Sequence, residues 1–74
     1  MLNKKWSELS DDKKEELLGN YYLIDGRTGN APKSSGECIV DFSNGYSVAG
    51  HVEITDVEDI ITIEDDAVIY KSDN

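Results

Sequence analysis

Apolar and polar positions along this chain follow two different rhythms. From Ser10 to Gly19, "SDDKKEELLG", a charged block runs into paired leucines and a glycine, whereas beyond Asn20 apolar and polar residues largely alternate. The first rhythm predicts one short helix. Ser10 is placed to cap its free backbone N–H groups, Asp11 and Asp12 suit the positive first turn, and Gly19 is expected to end it in the left-handed conformation. Trp6, Leu9, Leu17 and Leu18 supply apolar contacts, while Lys13, Lys14, Glu15 and Glu16 favour solvent. Two turns of helix are not stable alone, so they are expected to lie on a sheet.

The alternating part predicts that sheet. "NYYLID", Asn20 to Asp25, reads as a first strand, and the turn-rich residues 26–36 as a flexible loop. "ECIVDFSNGYSVAGHVEIT" reads as two strands about a Ser-Asn-Gly turn. A two-residue Asn44-Gly45 turn would mix apolar and polar residues on each face. A three-residue loop with Gly45 left-handed pairs Val40 with Val48, Cys38 with Gly50, Glu37 with His51 and Asp41 with Ser47, and keeps the faces clean. That second register is expected. A final hairpin about "EDDA" is expected to pair Ile63 with Val68 and Ile61 with Tyr70.

These registers assign one sheet face to Cys38, Val40, Phe42, Tyr46, Val48, Val52, Ile54, Ile61, Ile63, Val68 and Tyr70, the core beneath the helix. The other face receives Asp41, His51, Glu53, Thr55, Thr62 and Glu64, with Ile39, Ala49, Ile60, Ala67 and Ile69 among them. The fold class is α+β: a short N-terminal helix packed on a four- or five-stranded antiparallel meander, either an open sheet or a small curled barrel. Seventy-four residues make a single small domain, helical over 1–19 and sheet over 20–74. A chain this short buries only about 60% of its unfolded surface, so a partner or a second copy is an expected source of added stability.

Charge alters this picture more than composition does. Residues 1–33 carry six bases and six acids, whereas residues 34–74 carry ten acids and only Lys71, which accounts for the whole net charge of −9. Seven carboxylates lie within "EITDVEDIITIEDD": Glu53, Asp56, Glu58, Asp59, Glu64, Asp65 and Asp66. Such a half repels nucleic acid and anionic membranes and attracts basic surfaces. Direct nucleic-acid binding, which relies on Lys and Arg at phosphates, is not expected.

Chemistry is hard to assemble from what remains. Cys38 is the single cysteine and His51 the single histidine, and the expected register sets them on opposite sheet faces, which excludes a Cys/His pair. With one thiol there is no intrachain disulfide and no CxxC zinc pattern, and the N-terminus has no apolar signal segment, so a cytoplasmic protein is expected. "GRTGNAPKSSG" ends in Lys-Ser like a phosphate-binding loop, but Pro32 precedes the lysine and a strand follows. "DVEDIITIEDD" lacks the spacing and glycine of a calcium loop. No catalytic residue, metal site or cofactor is expected, and the protein is read as not an enzyme.

The acidic run then stands as the main candidate site. A surface built only for solubility intersperses both signs, as residues 1–33 do, but between Lys33 and Lys71 there are nine acids and no base. Carboxylates two apart on a strand lie about 6.6 to 6.8 Å from each other, so the run is able to imitate the charge line of a nucleic-acid backbone. In size and acidity the chain resembles the small inhibitors that phages direct against host restriction, CRISPR or transcription proteins, a resemblance carried by composition and not by a motif. It implies an anti-defence or anti-host factor whose acidic residues engage a basic protein, a nucleic-acid-binding enzyme or complex. The alternative is an adaptor that self-associates, as a homodimer, or binds a partner through the aliphatic positions Ile39, Ile60 and Ile69.

Overall fold

The computed structural model describes residues 4–71 as an α+β fold, one short helix on an antiparallel sheet curled into an open half-barrel. Its elements are a 3-10 turn (Trp6–Glu8), α1 (Asp11–Leu18), β1 (Tyr21–Ile24), β2 (Gly36–Phe42), β3 (Tyr46–Ile54), β4 (Asp59–Thr62) and β5 (Tyr70–Lys71). Ser10 caps α1 as its residue type suggests, its hydroxyl accepting from the Lys13 N–H at 3.2 Å. Gly19 does not take the left-handed conformation expected of it. At φ −73°, ψ −19° it continues the helical twist, and the N–H groups of Gly19 and Asn20 close the helix with 3-10-type bonds to the Glu16 and Leu17 carbonyls, at 3.3 and 3.5 Å.

Neighbouring strands run β1, β2, β3, β4, all antiparallel. The β2–β3 hairpin has the register its clean faces require: Val40 opposite Val48, Cys38 opposite Gly50, Glu37 opposite His51 and Asp41 opposite Ser47. Gly45, at φ +91°, supplies the left-handed residue of the loop. At Gly50 a side chain would be crowded. A Cβ there would lie 3.1 Å from Val40 Cγ2 and 3.2 Å from the Thr62 carbonyl oxygen, so glycine eases the packing of β3 between β2 and β4.

The expected last hairpin does not form. A turn does occur at the acidic residues, with the Ala67 N–H bonded to the Glu64 carbonyl at 3.1 Å, but the chain beyond it runs on along β3 instead of folding back on β4. Were the β3–β4 register continuous, Ser47 would meet Asp66; it meets Tyr70, four residues later. The intervening segment pairs instead with the N-terminus. Lys5 bridges Val68, the Ile69 N–H donates to the Lys4 carbonyl, and the Trp6 N–H donates to the Ala67 carbonyl, the last two at 2.8 Å.

That detour corrects the facing of the last residues. An even insertion preserves parity along the broken strand, so Ile61, Ile63, Ala67 and Ile69 all turn to the core, and Ile69 is fully buried. Val68 and Tyr70, expected inside, are 46% and 41% exposed, and Ile69, expected on the open face, is unavailable there. The rest of the core is as the alternation predicts: Cys38, Val40, Phe42, Val48 and Val52 are buried, with Tyr46 and Ile54 packed against them.

The helical region closes the open side of the half-barrel. Trp6 stacks on Phe42 with ring centroids 6.1 Å apart, Leu17 is buried beside them, and the Lys14 ammonium sits 5.7 Å from the Trp6 ring centroid. Leu18, expected to contribute a contact, is 39% exposed.

Candidate functional site

The seven acids of the run fall into two groups separated by β4. Glu53, Asp56, Glu58 and Asp59 surround the β3–β4 turn, and Glu64, Asp65 and Asp66 lie on the detour beyond it. All seven are exposed. The first turn is built by Thr55, whose hydroxyl accepts from the N–H groups of Val57 and Glu58, at 3.3 and 3.0 Å, while donating to the Glu58 carbonyl. Val57 stands at its tip, 91% exposed between acidic neighbours.

Glu53 and Asp59 do not share a face. Glu53 pairs with Ile60 and Ile54 with Asp59, so the first group wraps the end of the hairpin instead of forming one line. Among the described residues the two ion pairs are Lys13 with Glu16 at 3.3 Å and Arg27 with Asp25 at 3.4 Å, and neither uses a member of the run. Its charge is therefore left to solvent.

Register reveals acids that the run alone does not include. On the outer sheet face one row crosses four strands as Tyr22, Asp41, Ser47 and Tyr70, the next is Ile24, Ile39 and Ala49, and the third is Glu37, His51 and Thr62. Ser47 is buried and donates its hydroxyl to the Asp41 carboxylate at 3.2 Å. Below these rows a trough of about 1090 Å³ opens on this face, with Ile39, Ala49, Glu37 and His51 along it, the loop Asp25–Arg27 on one flank and residues 64–67 on the other. Glu64 and Asp66 thus share a concavity with Glu37 and Asp25. The parity that sets Glu37 opposite His51 is the signal that places Glu37 on this surface.

The loop flank carries several hydrogen bonds at its start. Asp25 donates its N–H to the Asn30 carbonyl at 2.7 Å, and its carbonyl accepts from Thr28 and Gly29. The Asp25 carboxylate accepts the Arg27 backbone N–H at 2.9 Å and its Nε at 3.4 Å. Those bonds, the backbone one foremost, hold the Asp25 carboxyl below its ordinary value. Ser35 ties the far end of the loop to β3, accepting from the Ile54 N–H at 2.9 Å.

Of the aliphatic positions expected to form an interface, Ile39 is half-buried on the trough floor, Ile60 is 49% exposed beside Glu53, and Ile69 belongs to the core. Cys38 is buried on the core face, where desolvation pushes its thiol up, while His51 is exposed on the other face. No cluster of three or more His, Cys, Asp or Glu side chains among the described residues is arranged to hold a metal ion. No described helix is long and apolar enough to cross a membrane. No family model, curated protein or solved structure matches the chain.

Proposed function

We propose that this protein is a non-enzymatic inhibitor or nucleic-acid mimic that acts in the cytoplasm on a basic surface of a nucleic-acid-binding protein, in the manner of a phage anti-defence or anti-host factor. The observation that carries the reading is that Glu53, Asp56, Glu58, Asp59, Glu64, Asp65 and Asp66 are exposed and form no ion pair among the described residues. Like charges gathered in a domain this small repel one another, and a cationic partner relieves that repulsion. Long-range attraction would also speed capture of the partner.

The test starts from an affinity capture at low and high salt, with retained proteins identified by mass and then purified. An electrostatic complex is lost as ionic strength rises. Neutralising Glu53, Asp56, Glu58 and Asp59 to Gln or Asn is expected to abolish binding of the purified partner while the fold survives. Undiminished affinity of that variant would remove the reading. The competing account, an adaptor using an aliphatic face, is reduced to Ile39 and Ile60, since Ile69 is buried.

A further inference from the structure

We infer that the trough on the outer sheet face is a docking groove for an extended, basic peptide segment, the part of a partner that reaches furthest into this protein. The inference rests on the reading of the protein as a binder of basic surfaces, and it says where the closest contact is made and by which chemistry. At about 1090 Å³ the trough is at the upper end of the roughly 300–1,000 Å³ usual for small-molecule pockets, and its open side admits a length of chain. Its flanks stand on either side of β2 and β3, so they are roughly three strand spacings, about 14 Å, apart. Both flanks are preformed. One is the hydrogen-bonded loop at Asp25, and the other is the Glu64–Ala67 turn, held from behind by pairing with the N-terminal residues.

The lining selects the occupant. Ile39 and Ala49 give an aliphatic floor, and Asp25, Glu37, Glu64 and Asp66 place four carboxylates about it, against Arg27 and His51. Arg27 is already engaged by Asp25, whereas Glu37, Glu64 and Asp66 form no ion pair among the described residues. An anionic guest would be repelled, and a wholly apolar one would strip water from carboxylates without replacing it. Lys and Arg satisfy both demands, their methylene stems lying on Ile39 and Ala49 and their heads reaching the acids. Floor residues two apart, such as Glu37 and Ile39, are spaced by about 6.6 to 6.8 Å, the interval between alternate side chains of an extended guest.

The probe is a fluorescein-labelled eight-residue peptide of alternating Arg and Ala, about 26 Å long when extended, read by polarisation at about 150 mM salt. The wild type is expected to bind it. The triple variant Glu37→Gln, Glu64→Gln, Asp66→Asn is expected to weaken binding by at least about tenfold, as is Ala49→Trp, which fills the floor without altering charge. The variant neutralised at Glu53, Asp56, Glu58 and Asp59, acids that meet a whole partner outside the trough and beyond the reach of so short a peptide, is expected to keep this peptide within about threefold even though it loses the whole partner. Circular dichroism confirms that each variant is folded.

Absence of binding by the wild type, or unchanged binding by Ala49→Trp, overturns the groove. Loss in the hairpin variant with retention in the trough variants moves the site to the hairpin and leaves the broader reading intact. Retention in every variant removes both. A dimer in solution that Ala49→Trp dissolves and the peptide does not displace makes a second copy the occupant and likewise overturns the proposal.

Discussion

Truncation of Ile69 tests the detour between β4 and β5 on which the trough wall depends. Ile69 is fully buried, and Ile69→Ala removes three carbons from the core. At about 0.8 kcal/mol per buried methylene the transfer contribution is about 2.4 kcal/mol, and the cavity left behind brings the cost to about 3 kcal/mol, within the usual range for such changes. A chain of this length has a total stability of only about 4 to 11 kcal/mol. The loss is therefore a large share of it, equivalent to a fall in Tm of about 12 to 24 °C. Val68→Ala removes two carbons from a side chain that is 46% exposed, and is expected to cost less than about 1 kcal/mol. Thermal and urea unfolding of the two variants beside the wild type give both numbers. A hairpin closing at Glu64–Ala67 would reverse the order. A larger loss for Val68→Ala than for Ile69→Ala therefore refutes the parity, and with it the broken strand.

Three further outcomes follow from the packing and the titrating groups. Gly50→Ala sets a Cβ 3.1 Å from Val40 Cγ2 and 3.2 Å from a backbone oxygen, and is expected to destabilise by about 1 to 3 kcal/mol in urea melts, with no change indicating that β3 and β4 are further apart. Cys38, buried with its thiol pushed up, is expected to ignore an aromatic disulfide reagent in the native protein and to react fully once unfolded; rapid native labelling would contradict its place in the core. The Asp25 carboxyl, depressed by the Arg27 bonds, is expected to protonate below the ordinary aspartate value in an NMR titration. Because the folded value is the lower one, its contribution to stability is complete above the unfolded carboxylate value of about 3.9 and is lost as pH falls through the folded value. The stability difference between Asp25→Asn and wild type accordingly shrinks on acidification, and a difference that grows would show the sign to be wrong.

Much of the fold was legible because it is local. Ser10 identified the helix start, and the requirement for clean faces about Ser43-Asn44-Gly45 selected the β2–β3 register from two candidates. The failures are long-range. Nothing in "EDDA" announces that the segment after it pairs with Lys4 to Trp6, so a real turn reads as a reversal in the sequence, and Ala67, Val68, Ile69 and Tyr70 fall on faces opposite to those expected. At Gly19 the residue type permits a left-handed cap, but 3-10-type bonds back to the Glu16 and Leu17 carbonyls end the helix without one. For the candidate site, the sequence located the acids but not their grouping. Linear proximity joined Glu53 to Asp66, whereas strand pairing separates the hairpin acids from Glu64 and Asp66 and brings the latter to Glu37, many residues upstream.

In the proposed function, an acidic surface without ion pairs among the described residues binds a basic one at the expense of nucleic acid. The most direct test of this is the dissociation constant for the captured, purified partner, measured at about 50 and about 500 mM salt, with and without competing nucleic acid. The expected result is a weakening of at least about tenfold at the higher salt, together with mutual exclusion between this protein and the nucleic acid. An affinity indifferent to salt, or a complex in which both ligands are bound at once, would contradict it.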